Sequence, residues 1–142
     1  MKLNELLKGI DFEVLAGNAD LEISNITWDS RNVDKNSLFI AVKNKNADRH
    51  DFALDAVNKG AIALVIEHEI ENVPKNITVI KVNDSKKSMS VIAQNYYGNP
   101  MKKLKVIGVT GTNGKTSVTY FISKILETFN IKSGIIGTIE NT

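Results

Sequence analysis

Two long apolar runs occupy the middle of the chain and set its predicted architecture. Residues 61–66 and 77–82 consist almost entirely of apolar or β-branched residues, and a polar, partly acidic turn separates them. Strands of a parallel sheet have this pattern because helices cover both of their faces. Shorter strands are predicted at residues 22–28 and 37–42, with the polar turn 30–36 between them.

Helical patterns fall between and after these strands. Around residues 51–59 the apolar positions lie near one helical face, and the run closes on Lys59 and Gly60, a cationic last turn followed by a C-cap glycine. A second helix is predicted through Tyr96, with Asp84 or Ser85 as its N-cap, and a short one at residues 3–8. The alternation of strands and helices predicts an α/β fold.

A break at Gly98-Asn99-Pro100 predicts a domain boundary near residue 100, giving domains 1–100 and 101–142. Beyond it a strand (104–109), a helix (116–130) and a strand (133–137) predict one βαβ unit. The apolar positions of that helix are expected to form its buried side: Val118, Phe121, Ile122, Ile125, Leu126 and Phe129.

One βαβ unit is the opening of an α/β domain and not a whole one, because parallel strands need partners at their edges and cover on both faces. We therefore expect the sequence to be truncated within its second domain. The alternative is that residues 101–142 pack onto the first domain as its final layer.

Composition excludes several classes of protein. The net charge of +2 is spread over interspersed Lys, Arg, Asp and Glu, which argues against nucleic-acid binding. The chain has no cysteine, and its two histidines, His50 and His68, are too few and too scattered for a histidine zinc site. We expect both histidines at the surface or at its boundary, without a catalytic role.

The charges among the first residues exclude a signal peptide, and no segment reaches the length of a membrane span. Both observations favour the cytoplasm.

The segment VIGVTGTNGKTSVTY, residues 106–120, joins the strand and helix of the second domain through a loop that ends in Gly-Lys-Thr. Small residues let backbone N–H groups approach phosphate oxygens, lysine supplies charge, and a hydroxyl can bind Mg²⁺. Val109 stands where the strict phosphate-loop pattern requires glycine, so this is a variant loop, and a tight turn that merely contains Gly-Lys-Thr is the alternative. The candidate phosphate-binding residues are Thr110, Gly111, Thr112, Asn113, Gly114, Lys115, Thr116 and Ser117.

The sequence TGTNGKTS, within residues 98–141, closely resembles the opening of the central ATPase domain of the Mur ligases. Upstream, Trp28-Asp29-Ser30-Arg31, the strand 37–42, Asp48, Phe52 and Gly60-Ala61 resemble the N-terminal domain of the same family. The resemblance spans nearly the whole chain. It is greatest to the members that add the third amino acid, meso-diaminopimelate or lysine, to UDP-MurNAc-L-Ala-D-Glu.

This resemblance implies an N-terminal mixed α/β domain that binds the UDP part of the substrate. The residues implied are Trp28, Ser30, Arg31, Lys45, Asn46 and Ala47. Without the resemblance, Asp29-Ser30-Arg31 is an ordinary polar turn with Arg31 exposed. The chain departs from the family at Asn44, where glycine is frequent, and at Asp48-Arg49, where Asp-Gly is frequent. Arg49 leaves the loop shape, and so the placement of residues 45–47, open.

The implied reaction is ATP-dependent amide-bond formation through an acyl phosphate, with Mg²⁺. In it Lys115 is the catalytic residue that offsets charge on the transferred phosphoryl group, and Thr116 holds the metal. The implied partners are UDP-MurNAc-dipeptide and an amino acid, bound by a monomer without nucleic acid or membrane. Residues 1–142 alone are expected to lack ligase activity.

Three further functions remain compatible with the sequence. The related ligase that adds D-Ala-D-Ala has a similar first domain, although Thr112-Asn113 and Gly137-Thr138-Ile139 favour the tripeptide-forming members. A different phosphate-loop enzyme, such as a small-molecule kinase, is the second of these functions. A nucleotide-sugar-binding module without catalysis is the third.

Overall fold

The computed structural model describes residues 1–138 and divides the chain into two compact units, Met1–Lys103 and Leu104–Thr142. The first unit contains a sheet covered by helices. The second contains one long helix and the loop that precedes it.

Seven strands lie in the first unit: β1 Phe12–Ala16, β2 Asn25–Thr27, β3 Ser37–Ile40, β4 Lys43–Asn44, β5 Ala47–Asp48, β6 Ala61–Ile66 and β7 Thr78–Val82. Five of them form a sheet in the order β1-β7-β6-β3-β2, and β4 pairs with β5 in a separate hairpin. Strands β2, β3, β6 and β7 are parallel, and β1 joins β7 in the antiparallel sense. The predicted α/β class with a mostly parallel sheet is confirmed.

The helices are α1 Leu3–Leu6, α2 Ala53–Asn58, α3 Ser85–Tyr96 and α4 Lys115–Thr128. Short 3-10 turns occupy Ser30–Asn32, Arg49–Phe52 and Pro100–Lys102. Asp84 caps α3, since its side chain accepts a hydrogen bond from the backbone N–H of Lys87 at 2.8 Å. Within residues 1–138, no helix is both long and apolar enough to cross a membrane.

The sheet of the first unit has a hydrophobic core on each face. One core joins α1 and α3 to the sheet, with Leu6, Leu38, Val65 and Ile92 among its buried members. The other holds α2 and includes Phe39. Successive strand residues point to opposite faces, which places Leu38 and Phe39 in different cores. The prediction that strands 61–66 and 77–82 are buried on both faces is therefore confirmed.

Strand β1 is absent from the sequence-based prediction. It lies at one edge of the sheet, and all five of its residues are exposed. It therefore lacks the alternation of buried apolar residues by which a strand is recognised in sequence. The turn after β1 passes close to β7. Gly17 has φ +79°, and a Cβ atom there would lie 2.7 Å from Cα of Thr78.

The second unit differs from the predicted βαβ arrangement. Helix α4 is present, but residues 104–138 contain no strand, and the predicted strands 104–109 and 133–137 are not formed among them. The predicted buried side of the helix is mostly exposed: Phe121 is 68% and Phe129 71% accessible, and Ile122 and Leu126 are only half-buried. A strand exists only with a hydrogen-bonding neighbour and an apolar helix face is buried only against another layer, and the described residues of this unit supply neither.

Candidate functional site

The carboxyl ends of four parallel strands meet at one edge of the sheet in the first unit. The turn 28–32 follows β2, the segment 41–48 follows β3, residues 67–68 follow β6, and residues 83–85 lead from β7 into α3. In open α/β sheets ligands bind in the crevice outside this edge. All six residues predicted to bind the UDP part lie on two of these segments.

Asp29 and Arg31 hold the turn after β2. The Asp29 carboxylate accepts hydrogen bonds from the Arg31 backbone N–H at 3.0 Å and from the guanidinium Nε and Nη2 atoms at 2.9 and 2.6 Å. The guanidinium first and the backbone N–H second hold the pKa of Asp29 well below its usual range. The Arg31 side chain is nevertheless 82% exposed, so it remains open to an anionic ligand.

Ser30 and Trp28 face different surroundings in the same turn. Ser30 is buried, and its carbonyl oxygen accepts a hydrogen bond from Nζ of Lys59 at 3.1 Å. The Lys59 ammonium and, after it, the neighbouring Ser30 hydroxyl lower the pKa of Asp55. The hydroxyl predicted to bind UDP thus lies near a carboxylate on α2. Trp28 is 51% exposed and presents an aromatic surface to solvent.

The hairpin β4–β5 carries Lys45, Asn46 and Ala47 at its exposed tip. Among residues 1–138, the non-glycine residues with positive φ are four asparagines at other positions. Asn44 and Arg49 therefore have backbone conformations that any residue adopts. Neither departure from the family pattern requires a strained hairpin.

The base of this hairpin is tied to the sheet edge through Ser85 and Glu67. The Lys43 backbone N–H donates to Oγ of Ser85 at 2.9 Å. The Ser85 hydroxyl and backbone N–H both donate to Oε1 of Glu67, at 2.6 and 2.8 Å. Three segments of the carboxyl edge therefore share one hydrogen-bonded network.

His50 completes this network from the 3-10 turn that follows β5. Its Nδ1 atom lies 2.5 Å from Oδ1 of Asp48, and its Nε2 atom accepts the backbone N–H of Glu67 at 2.8 Å. Only 4% of His50 is exposed, so the expectation of a surface or boundary position is wrong for this residue. The contact with Glu67 spans seventeen residues of sequence, and the local pattern around position 50 gives no sign of it.

His68 lies on the solvent side of His50. The two rings stack with centroids 3.8 Å apart, and Nε2 of His68 is 3.1 Å from Oδ2 of Asp48. Hydrogen bonding to Asp48 raises the pKa of His68. Partial burial favours a higher pKa for Asp48, but hydrogen bonds from the His50 backbone, His68 and the His50 ring outweigh it and hold that pKa well below its usual range.

The side chains of Asp48, His50 and His68 bring one possible ligand atom each within 4.8 Å of one another. The hydrogen bonds of His50 argue against a metal site. Because Nε2 accepts a backbone N–H, it carries no proton, and a neutral ring must then carry its proton on Nδ1. That atom donates to Asp48 and has no lone pair for a metal ion.

In the second unit, the predicted phosphate loop leads directly into α4. Gly111 and Gly114 have positive φ, of 150° and 76°, which glycine adopts without strain. Nζ of Lys115 donates to the carbonyl oxygen of Gly111 at 2.7 Å and lies 3.5 Å from that of Thr112. The loop therefore curves around the lysine ammonium at the N-terminal end of a fourteen-residue helix.

A cavity of about 190 Å³ adjoins this loop. Its lining consists of Val109, Lys115, Thr116, Thr119, Tyr120 and residues 135–138. Lys115 and Thr116 are thus brought together beside the cavity, whereas residues 110–114 and Ser117 do not line it. Of the segment Gly137-Thr138-Ile139, the first two residues lie at the cavity and Ile139 lies outside the described residues.

Two family models match separate parts of the chain. The model described as "Mur ligase family, catalytic domain" matches residues 22–97, and the model described as "Mur ligase middle domain" matches residues 109–142. Together they cover both units.

Curated relatives match almost the whole chain. The UDP-N-acetylmuramoyl-L-alanyl-D-glutamate–2,6-diaminopimelate ligase of Clostridium tetani is 50% identical over 99% of this chain and 30% of its own length. The protein of the same name from Caldanaerobacter subterraneus is 45% identical over 99% of this chain and 29% of its own length. The chain thus spans about 30% of the length of the curated relatives it matches.

Solved structures share the fold. One is a structure of UDP-N-acetylmuramoyl-L-alanyl-D-glutamate–2,6-diaminopimelate ligase, with a TM-score of 0.76 and 23% sequence identity. The match covers 100% of this chain and 28% of the chain in that structure. Another is the MurF ligase from Thermotoga maritima, solved in complex with ADP, with a TM-score of 0.55 and 29% sequence identity. The match covers 73% of this chain and 23% of the chain in that structure.

Proposed function

Because the chain belongs to the Mur ligase family, we propose that it forms part of an ATP-dependent ligase that joins meso-diaminopimelate to UDP-MurNAc-L-Ala-D-Glu. The observation that carries this proposal is 50% identity, over nearly the whole chain, to a relative named for that reaction. The likeness to MurF ligases from Acinetobacter baumannii rests on 24% identity and concerns the fold alone, so it does not favour the D-Ala-D-Ala-adding alternative.

In this proposal, the first unit binds the uridine nucleotide at the carboxyl edge of its sheet. The exposed tip at Lys45, Asn46 and Ala47 offers amide and backbone groups for the uracil and ribose. Trp28 offers an aromatic surface, and the exposed guanidinium of Arg31 offers charge for the diphosphate. Ser30 would contribute its hydroxyl, which can donate one hydrogen bond and accept another.

The second unit binds ATP. Backbone N–H groups of residues 111–114 and the N-terminal end of α4 hold the phosphates, with Thr110, Thr112, Asn113 and Ser117 alongside. Lys115 offsets the charge that develops on the transferred phosphoryl group. The charge of its ammonium already faces the concave side of the loop, where it is bonded to Gly111.

The residues present fit Mg²⁺ as far as one ligand. Thr116 follows Lys115 in the first turn of α4 and lines the same cavity, so its hydroxyl can supply an oxygen. Mg²⁺ commonly takes one or two protein ligands and completes its six positions with phosphate oxygens and water. When bound, the ion neutralises phosphate charge.

The reaction requires an activated carboxylate. A carboxylate oxygen of the D-Glu residue attacks the γ-phosphorus, ADP leaves, and the amino group of the incoming amino acid then displaces phosphate from the acyl carbon. We propose that residues 1–142 supply nucleotide binding but not the whole reaction, because the curated relatives are about three times as long. The proposed setting is the cytoplasm, with a monomeric protein acting apart from membranes and nucleic acid.

Calorimetric titration of this chain with UDP, UDP-MurNAc-L-Ala-D-Glu and ATP tests the proposal. We expect both the uridine compounds and ATP to bind with one site each. A small-molecule kinase would not bind UDP, and a nucleotide-sugar module without catalysis would not bind ATP. Release of ADP dependent on the dipeptide and diaminopimelate would overturn the statement that residues 1–142 alone are inactive.

A further inference from the structure

A closed circuit of hydrogen bonds surrounds the base of the β4–β5 hairpin. Lys43 and Asp48 face each other across the hairpin. From Lys43 the circuit passes to Oγ of Ser85 and on to Oε1 of Glu67. The backbone N–H of Glu67 donates to His50, whose ring returns the circuit to Asp48.

The circuit fixes both strands of a hairpin that has little else to hold it. Each strand is two residues long, and the hairpin is not part of the main sheet. A two-stranded hairpin of this size is marginal in water without further packing. Its attachments at Lys43 and Asp48 therefore determine where its tip lies.

His50 is the only side chain in this circuit that bridges two backbone segments through a rigid ring. Its two nitrogen atoms, fixed in position relative to each other, join the end of β5 to the end of β6. The stacked ring of His68 covers the His50 ring, and just 2% of the His50 side chain is exposed. Both nitrogen atoms are engaged in the interior, so His50 cannot contact a bound nucleotide through them.

We propose that His50 is a positioning residue for the uridine nucleotide: it holds the hairpin so that Lys45, Asn46 and Ala47 are already placed for binding. This inference rests on the proposed uridine-nucleotide site of the first unit. A loop that is held in its bound conformation loses less conformational entropy on binding, so the affinity rises without any additional contact.

Four variants of this chain test the inference. His50→Ala removes both links. His50→Asn retains an N–H near the position of Nδ1 and can keep the link to Asp48, whereas His50→Gln places an oxygen near the position of Nε2 and can keep the link to Glu67. Leu6→Ala is the matched control, because Leu6 is also buried but lies on α1, beside Asn95 at the opposite end of α3 from Ser85.

Two quantities are measured for each variant at a temperature where circular dichroism shows it folded: the Kd for UDP by calorimetry, and the ¹⁵N relaxation of backbone amides 44–47. We expect His50→Ala to weaken UDP binding about tenfold or more and to increase hairpin motion. For His50→Asn and His50→Gln, the Kd for UDP and the hairpin motion should lie between those of His50→Ala and the wild type. Leu6→Ala should lower the unfolding midpoint and leave both quantities unchanged.

The outcomes separate this inference from the proposed function. A wild-type chain that does not bind UDP overturns both. A wild-type chain that binds UDP while the His50 variants bind equally well, or lose affinity no more than Leu6→Ala, overturns the inference alone. If His50→Ala does not fold, the Asn and Gln variants decide the question by the same measurements.

The tautomer of His50 gives an independent check. The structure requires the proton on Nδ1, and long-range ¹H–¹⁵N correlation spectra distinguish that form from the Nε2–H form. A neutral Nε2–H tautomer in the wild type would contradict the circuit and therefore the inference.

Discussion

Nζ of Lys115 lies 2.7 Å from the carbonyl oxygen of Gly111, four residues earlier in the chain. This contact holds the ammonium on the concave side of the loop. The free backbone N–H groups of the first turn of α4 are directed to the same side. A polyphosphate entering the loop would meet the ammonium and the N–H groups together. The loop is therefore arranged for a highly charged anion before one binds.

Lys115→Ala should weaken ATP binding by the chain about ten- to a hundredfold, because a charged hydrogen bond to phosphate is lost. Lys115 is exposed, so the fold should not change, and UDP binding should be unaffected. Calorimetry with each nucleotide measures both effects. Lys124→Ala, at an exposed position later in the same helix, is the control. Unchanged ATP affinity in Lys115→Ala would exclude the proposed role.

Gly17→Ala should destabilise the first unit by about 3 kcal/mol. It combines a left-handed backbone with a Cβ atom 2.7 Å from Cα of Thr78, where only backbone movement can make room. Gly98→Ala is matched in φ, at +72°, but has nothing within 4 Å and should cost about 1 kcal/mol. Urea unfolding measures the free energy of unfolding of both variants. Equal losses would show that the close approach to β7 is not present in solution.

The stability of the first unit should fall slightly as the pH rises above neutrality. Hydrogen bonding to Asp48 raises the pKa of His68 from 6.5, against the opposing effects of partial burial and, more weakly, of the Lys43 charge. The carbonyl of Glu69 and the stacked His50 ring are the other neighbours of His68. A raised pKa in the folded state means that the stabilisation is complete below about pH 6.5 and is lost as the pH passes the folded-state value. Since His68 is half exposed, the loss should stay below about 1 kcal/mol.

Urea unfolding at a series of pH values between 5 and 9 measures this effect, and His68→Gln should remove the part that Asp48 and His68 share. The pKa of Asp48 is lowered instead, so its contribution is present above its unfolded value of 3.8 and is lost only in acid. A His68→Gln variant with the same pH dependence as the wild type would show that the ion pair is absent in solution.

The sequence predicted the features that depend on local order. Unbroken apolar runs located β6 and β7, and Asp84 marked the start of α3, because burial on both faces and capping leave direct traces in neighbouring residues. Edge strand β1 was missed because its exposed residues carry no burial signal. The buried side predicted for α4 depended on a covering layer, which residues 104–138 do not provide.

The site was predicted unevenly for the same reason. The glycine and lysine positions of the phosphate loop follow from the chemistry of phosphate binding, and the loop retains that spacing in the structure. The importance of His50 depends on Glu67, which only the pairing of β3 with β6 brings near. A histidine two residues after an aspartate that ends a strand is compatible with many surface turns, so the local sequence does not indicate the contact with Glu67.

The division between the two units should be visible to proteases. Lys102 and Lys103 lie in an exposed turn between Asn99 and the second unit, and no residue from 104 to 138 is buried. Brief trypsin treatment should therefore leave a fragment ending near Lys103, identified by mass spectrometry. Earlier cleavage after Lys81, within β7, would contradict the compactness of the first unit.

The most direct test of the account is a ¹H–¹⁵N spectrum of this chain titrated with UDP. The proposed uridine-nucleotide site predicts shifts confined to the carboxyl edge of the sheet: the indole N–H of Trp28, the backbone of residues 30–31 and the hairpin tip at residues 45–47. Residues of β1 and of the second unit should not move. No shift at saturating UDP, or shifts centred on the loop at residues 110–116, would contradict it.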